Sequence, residues 1–401
     1  MTDNLLAASI QQPMNRSCQA SEFSNGFDQG QIPSLNGWRA VAILLVMLDH
    51  AKFTVGFPID RLPGWALVLF EQGNLGVRIF FVLSGLLITH LLLREAEGSG
   101  AVSLGQFFLR RCLRILPVYL LYLGVLASLG AMNVYASESN ICWIGALTFT
   151  RNMVGPISSY TGHFWSLAVE EQFYLIWPLC LVACTLWRYP HLASRILLVP
   201  ICLCPLIRMG AFGIYADGEF PGRILGGNSI LVYADSLAMG CLGAFWIRRM
   251  PVRKPLARPT FLFAAAMGVV AIGAGWTAPS GWGGRVLGAF IPSVQAAAIL
   301  IAMWISTQHR NGVAFRILNA APMNKLGVLS YSLYIWHVLF LCNLSGSSLR
   351  ALLYDWRSWW LAALATAALS YYAVERPLLR LKRRVNPRPL DLKVIAAPAL
   401  P

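Results

Sequence analysis

An all-α, polytopic membrane protein, a bundle of about ten transmembrane helices with both termini cytoplasmic, is predicted by three observations. Apolar runs near 20 residues recur along the chain, and 57% of residues are hydrophobic against 12% charged. The mean hydropathy is +0.59. Lysine and arginine fall in alternate loops between the apolar runs. A helix needs ~20 apolar residues to cross a bilayer, whereas a soluble domain carries about 25% charged residues.

Ten spans follow, centred on Trp38–Gly56, Gly76–Leu93, Cys112–Ala131, His163–Leu186, Arg195–Gly210, Asn228–Ile247, Phe261–Trp276, Leu287–Ser306, Leu326–Leu344 and Trp359–Val374. Ile141–Thr150 is apolar but too short to span, so it reads as a re-entrant, interfacial or loop piece. The loops after spans two, four, six and eight, with the C-terminal tail, hold 21 Lys and Arg against 7 in the alternate loops. The positive-inside rule then sets both termini in the cytoplasm. The same alternation argues against nucleic acid as the reason for the net charge of +15, because the cations do not share one face. Residues 1–34 are expected to form a flexible cytoplasmic tail without a signal peptide, 35–378 the membrane domain, and 379–401 a basic cytoplasmic tail. Nine cysteines show no C-x-x-C pair, so neither a disulfide framework nor a metal site is expected.

Ionisable residues inside these runs need a bundle interior or a wet cavity, since a carboxylate at the bilayer centre costs at least ~2.5 kcal/mol. In span one, Arg39 and His50 lie about 20° from a common face and roughly 16 Å apart along the axis. Arg39 reads equally as an interfacial anchor, and His50 as a structural hydrogen-bonding residue. Span two carries Ser84-Gly85, which helix packing explains. Span three opens with Arg110-Arg111-Cys112-Leu113-Arg114, where Arg111 and Arg114 share a face. Guanidinium forks suit phosphate oxygens, although an ordinary positive-inside anchor has the same sequence. Span four holds His163-Phe164-Trp165-Ser166-Leu167-Ala168-Val169-Glu170-Glu171, with His163 and Glu170 within roughly 20° of one face. Asp235 in span six is a functional or pairing residue, with Arg208 of span five as a possible structural partner. His337 follows Ser330-Tyr331-Ser332-Leu333-Tyr334-Ile335-Trp336 in span nine. Glu375-Arg376-Pro377 closes the last span ahead of a basic run suited to lipid headgroups.

Taken in order, Leu35–His50, Gly76–Thr89, Arg110–Pro117, Gly162–Pro178, Asp235–Gly240, Leu326–His337 and Val374–Lys382 resemble the acyltransferase 3 family of integral membrane O-acyltransferases. The resemblance covers about residues 33–384. It implies a ten-span bundle in a bacterial inner membrane that uses cytoplasmic acyl-CoA, usually acetyl-CoA, to acylate hydroxyls of carbohydrates such as surface polysaccharide or lipid-linked glycan. His50 matches the family's first-span histidine, Arg39 the arginine of the opening motif, and Arg111 with Arg114 the R-x-x-R pair. Trp165–Glu171 matches the W-S-L-x-V-E-E signature, and Asp235 the sixth-span aspartate. Asn36 and Arg78 depart from positions where the family often has aspartate. About 25 residues follow the last span, so no fused esterase-like domain is expected, and transfer would finish here or with a separate partner.

The resemblance implies these roles. His50 is the general base toward the acceptor hydroxyl, because histidine with an unperturbed pKa of ~6.5 is mostly neutral at pH 7. A short-lived acyl-histidine is the less favoured version. Glu170 joins the catalytic set by orienting a histidine or holding sugar hydroxyls. Arg39, Arg111 and Arg114 would hold the CoA phosphates. His163, Trp165, Ser166, Glu171, Asp235 and His337 are expected to contact substrate. Acyl-CoA is a donor substrate here; no permanently bound cofactor is expected. Two other readings compete: a proton-coupled exporter with a His/Asp/Glu relay and no CoA dependence, and a non-catalytic scaffold that would have no use for intramembrane charge.

Overall fold

The computed structural model describes residues 32–134, 138–155, 160–214, 227–249, 258–275, 282–341 and 355–385. Most of both predicted tails lies outside these residues. Fourteen helices are described: α1 Leu35–Ala51, α2 Gly64–Leu69, α3 Gly73–Ser99, α4 Leu104–Ala131, α5 Asn140–Leu147, α6 Phe164–Ala183 and α7 Pro190–Ile214 come first. They are followed by α8 Ile230–Arg249, α9 Pro259–Ala274, α10 Trp282–Gln308, α11 Val313–Leu318, α12 Ala321–Trp336, α13 Trp359–Ser370 and α14 Arg376–Val385. No strand occurs among the described residues, only one bridge between Val55 and Asp355.

Each predicted span contains a helix, and six segments are long and apolar enough to cross a membrane: Ala66–Ser99, Leu104–Ala131, Phe164–Ala183, Pro190–Gly210, Ile230–Ile247 and Gly283–Gln308. Helices α1, α9, α12 and α13 are shorter, at 17, 16, 16 and 12 residues. Ile272, Leu361 and Leu369 are about 70% exposed, as expected of side chains that face lipid rather than protein. The chain is a multi-pass membrane protein.

Several boundaries move from their predicted places. The first span ends at Ala51 rather than Gly56, because Thr54 Oγ1 donates to Ala51 O (2.5 Å) and Gly56 turns with φ +71°. His50 therefore sits in the last helical turn, not deep in the span. Arg78, counted among loop cations, is 8% exposed inside α3, where its guanidinium bonds Gln295. The short apolar piece near Ile141 is helix α5, and helix α14 continues through Val385 into the predicted basic tail.

Helix α3 is the packing centre, in contact with α1, α6, α8 and α10. Its closeness to α8 is set by glycine. A Cβ on Gly85 would stand 2.0 Å from Leu237 O, and one on Gly240 2.1 Å from Val82 O. The backbones thus touch without intervening side chains, the membrane packing mode of small residues. Gly240→Val is expected to destabilise the bundle by about 1–3 kcal/mol through forced separation of α3 and α8, read as a lower thermal midpoint in detergent. Helix α1 is fastened at its start: Ser34 N–H donates to Asn319 Oδ1 (2.9 Å), and Trp38 Nε1 to Ser306 Oγ (3.0 Å).

Helix α13 passes into α14 through a π-turn, Tyr371–Glu375, in which Arg376 N–H bonds the carbonyl of Tyr371. Pro377 explains it. Proline lacks the N–H for residue i−4 and its ring crowds that carbonyl, so the helix widens. The extra residue turns Glu375 inward, 4% exposed, where it accepts from Ser332 Oγ (2.9 Å).

Candidate functional site

Six elements converge on a cavity of about 620 Å³. Helix α1 contributes Arg39, α3 Ser84, α4 Arg111 and Arg114, and α6 Ser166, Glu170 and Tyr174. Tyr331 and Tyr334 come from α12, and Tyr371 and Glu375 from the π-turn. Arg39 reaches it from a buried helix start that α10 and α11 hold in place.

The Arg111 guanidinium is held by rings. Arg111 lies over Tyr174 at 4.7 Å and over Phe107 at 5.8 Å. The neighbouring Arg110 pairs instead with Glu95 (2.7 Å), whose other oxygen accepts from Ser103 N (2.9 Å), which ties the α3–α4 connection. Ion pairs among the described residues include Lys52–Asp49, Arg110–Glu95 and Arg208–Asp235. Arg39, Arg111 and Arg114 face one cavity together with the carboxylates of Glu170 and Glu375, and none of the three makes a direct ion pair among the described residues. Such a cluster is a receptor for a multiply charged anion, and phosphate matches its donor geometry.

Glu170 is occupied locally. Ser84 Oγ donates to its Oε1 (2.8 Å), and the Tyr174 hydroxyl stands 3.2 Å from its Oε2 and 2.9 Å from Ser84 Oγ. Of the two roles foreseen for Glu170, orienting a histidine is not what this geometry does. It faces the cavity with a serine and a tyrosine around it.

The histidines gather elsewhere. His50 at the end of α1, His163 just before α6 and His337 just after α12 form a cluster with ring centroids 4.9 Å (His50–His337) and 5.5 Å (His163–His337) apart. His50 Nδ1 is 2.8 Å from Val46 O. His337 Nδ1 is 2.9 Å from Tyr334 O and 3.1 Å from Leu333 O. A carbonyl oxygen only accepts, so in the neutral ring Nδ1 bears the proton and Nε2 a free lone pair. Each helix thus uses its own backbone to fix the basic tautomer. His163 has both ring nitrogens buried without a partner, and His337 Nε2 likewise. Unpartnered polar atoms at this depth are places for water or a polar ligand group.

One face of α6 joins the two regions. His163, Ser166 and Glu170 recur at helical spacing, from the histidine cluster, past a Ser166–Tyr334 hydrogen bond (2.7 Å), into the arginine cavity. The shared face read from the sequence is therefore a path between two compartments rather than one wall. The cavity lining includes none of the three clustered histidines.

Besides His163 and His337, three further expected substrate contacts lie apart from the cavity. Trp165 packs on Tyr233 (5.1 Å) and Phe81 (6.4 Å). Glu171 is absent from the cavity lining and has one buried oxygen without a hydrogen-bond partner. Asp235, fully buried, pairs with Arg208 (2.7 Å) and accepts from Ser293 Oγ (2.5 Å). Arg208 also donates to Ala289 O (2.8 Å), Val232 O (2.7 Å) and Ser293 Oγ (2.6 Å), so the pair knits α7, α8 and α10. That is the structural partnership the sequence left open.

Ser84, Tyr174, Tyr331, Tyr334 and Glu375 were not anticipated as lining. Spacing held a signal for two of them: Tyr331 and Tyr334 precede His337 at intervals of three, one stripe of α12. Ser84 carried none, because its partner is on another helix.

The family profile described as Acyltransferase domain matches residues 32–375. The chain is similar to "Peptidoglycan O-acetyltransferase OatA" of Listeria monocytogenes, with 27% identity over 338 residues, 78% of this chain and 49% of that one. It is also similar to "Putative peptidoglycan O-acetyltransferase YrhL" of Bacillus subtilis (28% identity, 76% of this chain and 48% of that one). "O-acetyltransferase OatA" of Staphylococcus aureus is 26% identical over 76% of this chain and 50% of its own. The chain spans about half the length of these relatives. No solved structure matches it.

Proposed function

This chain belongs to the acyltransferase 3 family, and from that premise we propose that it is a membrane O-acyltransferase moving an acyl group, acetyl in our reading, from cytoplasmic acyl-CoA to a carbohydrate hydroxyl. The observation that supports the donor is the convergence of Arg39, Arg111 and Arg114 on one cavity, three cations against the two carboxylates Glu170 and Glu375 and none of them in a direct ion pair among the described residues. The protein is read as spanning a bacterial cytoplasmic membrane ten times with both termini inside, so that this cavity opens toward the acyl-CoA pool. The acceptor is a surface polysaccharide or lipid-linked glycan precursor, and the peptidoglycan named in the relatives favours a cell-wall sugar.

In the reaction, the acceptor hydroxyl gives its proton to His50 Nε2 as its oxygen attacks the thioester carbonyl. The C–S bond breaks, and the CoA thiolate takes up a proton on leaving. The arginines bind the CoA phosphates, and Glu170 with Ser84 holds the polar end of the pantetheine arm or a sugar hydroxyl. His163, Ser166 and His337 meet the acceptor, while Trp165 and Asp235 brace the helices around them.

Purified protein in nanodiscs, supplied with acetyl-CoA and cell-wall glycan fragments, tests this reading. In Arg111→Ala the KM for acetyl-CoA is expected to rise about 10–100-fold, the worth of a charge-assisted hydrogen bond, with a smaller fall in kcat. An unmoved KM removes the phosphate assignment. A proton-coupled exporter would instead respond to a pH gradient and ignore CoA.

A further inference from the structure

Tyr334 belongs to both halves of the site. It lines the arginine cavity, yet its ring stands 5.5 Å from His163 and 5.8 Å from His337 on the other side. His50 lies beyond, 4.9 Å from His337. The ring is 8% exposed and its hydroxyl is tied twice to the start of α6: it donates to His163 O and lies 2.7 Å from Ser166 Oγ. A phenol has one proton. With that proton on the His163 carbonyl, the Ser166 hydroxyl is the donor in the second bond.

We infer that Tyr334 is a positioning residue, a tethered septum that keeps the donor cavity apart from the histidine chamber until transfer. The inference rests on the acyl-CoA reading of the cavity. Transfer needs the thioester carbonyl and the base-activated hydroxyl about 3 Å apart, whereas a buried aromatic ring now stands between the cavity and the three imidazoles. In the histidine cluster His163 and His337 present buried nitrogens without protein partners, the kind of group that water meets when no acceptor is present. An open passage would let that water attack the thioester, forming a C–O bond, breaking C–S and releasing free acid with CoA thiol. A ring held shut by two hydrogen bonds prevents this, as closures that exclude water do elsewhere. Both tether points are on the segment that also carries Glu170, so binding at the cavity can be felt at the septum.

The experiment uses the full-length protein in nanodiscs with acetyl-CoA and no acceptor, and follows free thiol. Tyr334→Phe keeps the ring and removes both bonds; Ser166→Ala removes one. Acceptor-independent CoA release is expected to rise about three- to tenfold in each. The double variant should match Tyr334→Phe, because the Ser166 bond is shared. A merely structural tyrosine would lower thermal midpoint and turnover together and would not raise hydrolysis. Hydrolysis at or below wild type in both variants, with CoA affinity intact, overturns the septum alone. Failure of the wild type to bind CoA, measured by ligand-induced thermal shift, overturns the donor reading and the septum with it.

Discussion

Replacing His50 by alanine is expected to lower acyl transfer by about 10²–10⁴-fold, the usual contribution of a positioned base, while the affinity for acyl-CoA stays near wild type. The two effects separate because His50 is not among the residues that line the arginine cavity and packs instead against His337. The reason for choosing Nε2 is backbone geometry: Val46 O, one turn earlier, holds the Nδ1 proton and leaves the lone pair free. His337 has the same arrangement, so it is the internal control. Loss of turnover in His337→Ala with retention in His50→Ala would move the base to His337. Retention in both would end the base assignment.

The second large effect is on stability. Asp235→Ala leaves the Arg208 guanidinium buried among carbonyls and one serine without its counter-charge. Removing one partner of a buried pair costs about 3–5 kcal/mol, whereas replacing both by apolar residues is often neutral. Asp235→Ala is therefore expected to fall sharply in membrane yield and thermal midpoint, and Arg208→Met with Asp235→Ala to recover much of the loss. A stable Asp235→Ala protein that no longer binds acceptor would return this aspartate to the substrate site.

The sequence and structure agree where the cause is local. Hydropathy placed a helix in every predicted span, since a backbone in hydrocarbon must bond to itself. Ser84-Gly85 read as a packing element, and Gly85 indeed touches the backbone of α8. Arg39, Arg111 and Arg114 were each marked, but spacing read them equally as interfacial anchors, and only the family resemblance grouped them. The histidine cluster was legible only in part. His50, His163 and His337 were each marked, but nothing in their spacing joined three helices.

The chain by itself therefore determined that this is a multi-pass helical protein with a cationic, histidine-bearing interior, because burial cost alone restricts where such residues can stand. Only the packed bundle decided the partners: Glu170 with Ser84 rather than a histidine, Asp235 with Arg208, and the clustered imidazoles outside the lining of the arginine cavity. Partner choice depends on distances of a few ångströms between separate helices. Periodicity along one helix fixes direction around its own axis and says nothing about which neighbour lies there.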